Sequence, residues 1–263
     1  MVWVMGIDIG SAFSKGVLLK DKEVHGYFEC PSGGDFALTS ERIKKELLSS
    51  ADLSEQDIVY TLATGFGSQM VGYADEVKTD ISCHAKGIHH FFTTARTGID
   101  IGDLYSKVFR MDENGNVINF VLSGKCAGGS GRIFQVIAKV LQVKVEDMGP
   151  LSLKSKKRVD FSTGCAVFAE SEAISRIAEG VSKEDLLAGI HRALAAQLHS
   201  MAERVILEKD LVMVGGGARD AGLVRAMEEI TGYSVLVPPQ PHMTAALGAA
   251  LLALDSLEDR KSP

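Results

Sequence analysis

The chain has 263 residues, 46% hydrophobic and 24% charged, with a net charge of −6. That length can bury one large core or two of roughly 100–150 residues each, and the lack of any basic block argues against a nucleic-acid partner. The opening MVWVMGIDIG has no basic stretch or small-residue cleavage site, so no signal peptide is expected, and no run of about 18 apolar residues is present to span a membrane. The expected compartment is the cytoplasm. There Cys30, Cys83, Cys126 and Cys165 stay reduced, too few in so long a chain for a disulfide frame and available as metal ligands.

In chain order, VWVMGIDI (2–9) reads as a buried strand, SAFSKGVLLKD as a second after a turn at Gly10-Ser11, and VHGYFEC as a third. SERIKKELLSSA has helical spacing with Ser40 as the expected N-cap. IVYTLATGFG is a strand entering a glycine turn, and SCHAKGIHHFFTTA a helix. RTGIDIGDLYSKVFRMDENGNVINFVL then reads as strand, turn, strand, Asn-Gly hairpin, strand. Helices are predicted over about 130–142 and 166–180, joined by a polar connection, and over 183–207. DLVMVGGGARD is a strand ending in glycines, LVRAMEEITG a helix, SVLVPP a strand, and TAALGAALLALDSL a small-residue helix made for close packing.

The pattern restarts within this order. GIDIGSAFSKGVLLKD (6–21) and GIDIGDLYSKVFRMDE (98–113) share GIDIG and, at the same offset, SK before an apolar strand. A repeat this long implies a duplicated domain rather than a solenoid. The expected division is 1–94, joined by the C-terminal helix at about 243–263, and 95–242.

Each hairpin turn follows Asp-Ile-Gly. Gly10 lets backbone approach a ligand, and the turn's N–H groups can cradle phosphate, with Ser11, Ser14 and Lys15 adding hydroxyls and a cation. Asp8 can hold hydrated Mg²⁺, which takes one or two carboxylates plus phosphate oxygens. Gly102, Asp100 and Asp103 stand in the second copy. The Gly215-Gly216-Gly217 run, with Asp220 beyond it, offers bare backbone to an adenine ring or ribose. It is neither a Rossmann fingerprint nor a P-loop.

Two phosphate hairpins followed by a late glycine run resemble the actin/Hsp70/sugar-kinase superfamily, an α/β fold of two duplicated ribonuclease H-like domains. Within it GIDIGSAFSKGVLLKD, TDISCHAKG, KCAGGSGRIFQVIAKVL, GCAVFAESEAIS and VMVGGGARDAGLVRAM resemble the BadF/BadG/BcrA/BcrD ATPases, which include activators of 2-hydroxyacyl-CoA dehydratases and subunits of benzoyl-CoA reductases. The resemblance implies ATP/ADP and Mg²⁺ as ligands, with Asp8, Asp100 and Asp103 as catalytic carboxylates. It further implies a [4Fe–4S] cluster shared across a homodimer and held by Cys126 and Cys165 of each chain; two thiolates from each of two chains complete a four-cysteine set. A ferredoxin or flavodoxin donor and an acyl-CoA dehydratase or reductase partner are implied as well, with ATP acting by domain closure. Cys30 and Cys83 read as structural.

Where family activators read DIGGQDSK, this chain reads DIGDLYSK, so Asp103, Leu104 and Tyr105 put the hydrolysis rate, though not nucleotide binding, in question. CAGGSG leans toward the reductase subunits and the chain length toward stand-alone activators. The alternatives are a small-molecule kinase of the same superfamily with Asp103 as general base, and a weakly hydrolysing nucleotide-binding regulatory subunit.

Overall fold

The structure, a computed structural model, describes residues 2–124, 129–161 and 166–260. Along the chain these residues form β1 (Trp3–Ile9), β2 (Phe13–Lys20), β3 (Glu23–Pro31), α1 (Phe36–Ser50), β4 (Ile58–Thr64), β5 (Glu76–Val77) and α2 (Asp80–Phe91). They continue with β6 (Thr97–Ile101), β7 (Ser106–Met111), β8 (Val117–Leu122), α3 (Arg132–Leu141), α4 (Val145–Ser152), α5 (Ala166–Ala178) and α6 (Lys183–Arg204). The chain closes through β9 (Leu211–Val214), α7 (Ala221–Thr231), β10 (Val235–Leu236) and α8 (Thr244–Asp259).

Two compact units result. One comprises residues Met1–Thr93, Glu113–Val117 and Met243–Pro263, the other Thr94–Asp112 and Ile118–His242. In the first, the sheet order is β3-β2-β1-β4-β5, with β1 antiparallel to β2 and parallel to β4. Strand β1 is apolar on both faces because both are covered. Met5, Ile7 and Ile9 join Leu18, Ile43 and Leu47 under α1, while Val4 joins Leu62, Ala246 and Ala250 under α8. Each fully buried Val, Leu, Ile or Met among these contributes roughly 1.5–3 kcal/mol. Gly6 explains the small-residue helix: a Cβ there would stand 2.1 Å from the Ala246 carbonyl oxygen, so α8 lies directly on β1.

The second unit has the matching order β10-β9-β6-β7-β8, again with an antiparallel hairpin (β6–β7) and a parallel neighbour (β9). Its core gathers Ile99, Ile101 and Val108 from the sheet with Ile137, Ile190, Leu194, Leu198 and Leu223 from the helices. Among the described residues no helix is long and apolar enough to cross a membrane.

Two local readings change. Helix α1 starts at Phe36, not at Ser40: Asp35 is the N-cap, accepting from Leu38 N at 3.0 Å, and Ser40 lies buried inside the helix with its hydroxyl donating to Ala37 O. An earlier acidic cap outcompetes a later serine. The stretch read as a polar connection contains α4, with Pro150 inside it, and the proline hid the helical pattern.

Candidate functional site

The β1–β2 register places Asp8 opposite Lys15 and Ile9 opposite Ser14. Asp8 is buried, and Lys15 Nζ lies 3.4 Å from its Oδ2 while donating to Phe13 O at 3.2 Å. Ser14 is buried too. Its hydroxyl is 2.8 Å from Ser32 Oγ, which donates to Gly10 O at 2.7 Å; with the Ser32 proton so used, Ser14 is the donor of the pair. Ser14 therefore braces the turn from behind through Ser32, a residue the sequence reading passed over. Gly10 and Ser11 form the half-buried turn.

The second hairpin repeats the frame. Asp100 is opposite Lys107, Lys107 Nζ donates to Asp100 Oδ2 at 2.8 Å, and Gly102 N–H donates to Tyr105 O at 3.0 Å. Lys107, visible in the repeated SK but not selected as a site residue, is the counterpart of Lys15.

Parallel pairing then adds glycine backbone beside each carboxylate. Strand β4 runs along β1 into Gly65-Phe66-Gly67, and β9 runs along β6 into Gly215-Gly216-Gly217. Gly65 has φ +91° and Gly215 φ +81°, and a Cβ on either would stand 2.3 Å from an oxygen of Asp8 or Asp100 respectively. Both positions thus demand glycine twice, for conformation and for space. The space left free is a bare-backbone cradle next to a carboxylate and a lysine, which suits phosphate oxygens and a hydrated divalent cation. Gly65 and Gly67 were missed in the sequence, although TGFG after an apolar strand was the signal. Of the late glycine run only Gly216 is exposed, with open space above its Cα, while Gly215 and Gly217 are buried.

Asp220 follows that run and has local duties. Its Oδ1 accepts from Gly222 N at 2.8 Å and Leu223 N at 3.0 Å, capping α7, and its Oδ2 lies 3.3 Å from His191 Nε2.

Asp103 sits in the turn of the second hairpin. Gln135 Nε2 donates to its Oδ1 at 2.7 Å and Arg132 Nη2 lies 3.4 Å from Oδ2, both from the first turns of α3. Gly131 N–H adds a 2.8 Å bond to Gly102 O. The hairpin turn is therefore fastened to the start of α3.

Cys126 and Cys165 lie outside the described residues. The helices that follow them, α3 and α5, pack against each other. Cys83 and Cys30 are buried, and burial pushes the Cys83 thiol up to about 12 and raises that of Cys30. Among the described residues no three His, Cys, Asp or Glu side chains are grouped to hold a metal ion.

Duplicated sheets, each offering a carboxylate hairpin and a glycine turn, define the actin/Hsp70/sugar-kinase class of two-domain ATPases. A glucokinase of the ROK family from Streptomyces griseus shares this fold with a TM-score of 0.60 at 14% identity, over 96% of this chain and 99% of its own. Residues 5–253 match the model of the BadF/BadG/BcrA/BcrD ATPase family, and the chain belongs to that family. It is 41% identical over 253 residues to the (R)-2-hydroxyglutaryl-CoA dehydratase activating ATPase of Acidaminococcus fermentans, covering 96% of this chain and 97% of that one. The solved activator of the 2-hydroxyisocaproyl-CoA dehydratase from Clostridium difficile, with bound ADPNP, superposes with a TM-score of 0.92 at 38% identity, over 99% of this chain and 97% of that one.

Proposed function

We propose that this chain is an ATP-dependent electron-transfer protein that activates an acyl-CoA dehydratase or reductase, working as a homodimer with one [4Fe–4S] cluster between its chains. The observation that carries the coupling is the fastening of the second hairpin turn to α3. Gly131 to Gly102, and Gln135 and Arg132 to Asp103, tie the turn that meets phosphate to the segment that follows Cys126.

Each unit contributes the same parts. Asp8 would hold hydrated Mg²⁺, Asp100 is its counterpart in the second unit, and Lys15 and Lys107 would each pass from its own carboxylate to phosphate oxygens. The turn backbone at Gly10 and Ser11 donates to phosphate, Gly102 shapes the matching turn through its bond to Tyr105 O, and Gly216 receives the adenosine. The bond from Gly131 to the turn shifts α3 when the turn closes on phosphate. Asp103 orients that helix through Gln135 and Arg132. Thiolates at Cys126 and Cys165 suit half of a four-cysteine set, and their cluster would supply low-potential one-electron chemistry. A ferredoxin or flavodoxin is the fitting donor. The relatedness to dehydratase-activating proteins supports the choice of partner.

The test is anaerobic purification with iron and sulfide analysis. The expected yield is roughly two iron atoms per chain, set by one four-iron cluster per dimer, and its loss in Cys126→Ala and in Cys165→Ala. ATP should be hydrolysed by the wild type and the dehydratase partner switched on. A reconstituted protein that stays free of iron, with both variants indistinguishable from wild type, refutes the reading.

A further inference from the structure

Helix α6 carries a buried imidazole that the site described so far does not use. His191 is 1% exposed, its ring set edge-on against Phe134 with centroids 5.2 Å apart. Its Nε2 lies 3.3 Å from Asp220 Oδ2. Asp220 in turn grips both sides of the junction at its own position. Its backbone N–H donates to Gly217 O at 3.2 Å, and its Oδ1 caps α7 at Gly222 and Leu223. A chain of contacts therefore leads from the middle of α6 to the adenosine-side glycine run.

The surroundings are shaped for the pair. A Cβ at Gly222 would stand 2.5 Å from His191 Nδ1 and 2.1 Å from Ser152 Oγ, and one at Gly149 would stand 2.8 Å from Asp220 Oδ1. Helices α4 and α7 each leave out a side chain against the pair, α4 beside Oδ1 of the carboxylate and α7 beside Nδ1 of the imidazole. Burying such a pair costs desolvation that an apolar side chain of the same size would avoid, so its value lies in setting one position. Neither ring nitrogen makes a well-aligned hydrogen bond, although Nε2 is within ion-pair distance.

We propose that His191 is a positioning residue for the nucleotide: it sets Asp220, and through Asp220 the Gly215–Gly217 turn, and its contact with Asp220 closes when adenosine seats on Gly216. The inference rests on the nucleotide reading above and would extend it to a residue remote in sequence.

The experiment measures ADPNP affinity by calorimetry, kcat and KM for ATP, and the thermal midpoint, in wild type, His191→Phe and His191→Gln. Phenylalanine fills the space without a donor; glutamine restores one near the position of Nε2. His191→Phe should bind ADPNP about tenfold more weakly and raise KM with little change in kcat, the size expected for one hydrogen bond to a charged group, while His191→Gln recovers to within about threefold of wild type. If His191→Phe does not fold, Asp220→Asn, which keeps the capping oxygen but replaces the carboxylate, should show the same loss. A lowered midpoint with unchanged affinity in either variant would reduce the pair to a structural role and overturn the proposal, as would failure of glutamine to rescue. A wild type that binds no nucleotide removes the underlying reading along with it; a wild type that binds while His191→Phe is unaltered removes this inference alone.

Discussion

The two hairpins carry the same carboxylate and the same lysine, yet they are braced differently. In the first unit the turn is held by its own sheet, through Ser14, Ser32 and Gly10. In the second it is held by α3, through Gly131, Gln135 and Arg132. The ion pairs differ as well: Lys107 meets Asp100 at 2.8 Å, whereas Lys15 stands 3.4 Å from Asp8 and divides itself with Phe13 O. Beyond the glycine turns, the first unit has only a short turn of helix at Ser68–Met70 where the second has α7 and its Asp220 cap. Both units keep the carboxylate and the lysine, and they differ in what those groups are tied to. The first turn is tied to residues flanking its own sheet, and the second carries a further tie to the start of α3.

The strongest way to break the comparison is at the glycines. Gly65→Ala and Gly215→Ala each force a side chain into a left-handed backbone and against an aspartate. Each should cost roughly 2–4 kcal/mol in urea unfolding and abolish ADPNP binding in whatever folds. A harmless Gly65→Ala beside a ruinous Gly215→Ala would show that only the second cradle is in use. Next come the lysines. Lys107→Met removes the cation 2.8 Å from a buried carboxylate and should cost about 2–3 kcal/mol, against about 1 kcal/mol for Lys15→Met, whose bond is longer and shared. Equal unfolding energies would erase the asymmetry.

The braces can be separated too. Ser32→Ala should lower stability by about 1 kcal/mol, the worth of a buried hydroxyl bond, with nucleotide affinity falling in step. If the proposed cluster is held, Gln135→Ala should leave stability and iron content near wild type but blunt any change that ATP makes in the electron paramagnetic resonance spectrum. An undiminished response in Gln135→Ala would cut the proposed link between hairpin and helix.

A smaller effect concerns acid. Asp185, at the start of α6, accepts from Lys157 N, Lys156 N, Ser182 Oγ and Ser155 Oγ, and these bonds, that from Lys157 foremost, hold its carboxyl well below the usual range. Its folded value lies below the unfolded value of about 3.9, so its stabilisation is complete above that pH and is lost as pH falls toward the folded value. The midpoint difference between wild type and Asp185→Asn should therefore be constant from pH 7 to about 5 and shrink below about 4; a difference that grew in acid would reverse the assignment. Smallest of all is the expectation for Cys83, whose thiol burial pushes up to about 12. It should resist iodoacetamide at pH 8 in the folded protein and react after unfolding, and Cys83→Ser should leave iron content unchanged.

By itself the sequence determined what is coded over short range. The repeated GIDIG and SK place a carboxylate and a lysine seven residues apart, and the register of a tight antiparallel hairpin brings them opposite each other. The family, too, was readable from motifs in order. What only the tertiary structure decided were the meetings of distant segments: Gly65 against Asp8, Ser32 behind the first turn, α3 on the second, and His191 against Asp220. Parallel strands and packed helices acquire their register from crossovers and core packing, through apolar contacts that many sequences satisfy equally well, so a local pattern such as TGFG marks a glycine turn without saying which carboxylate it will face.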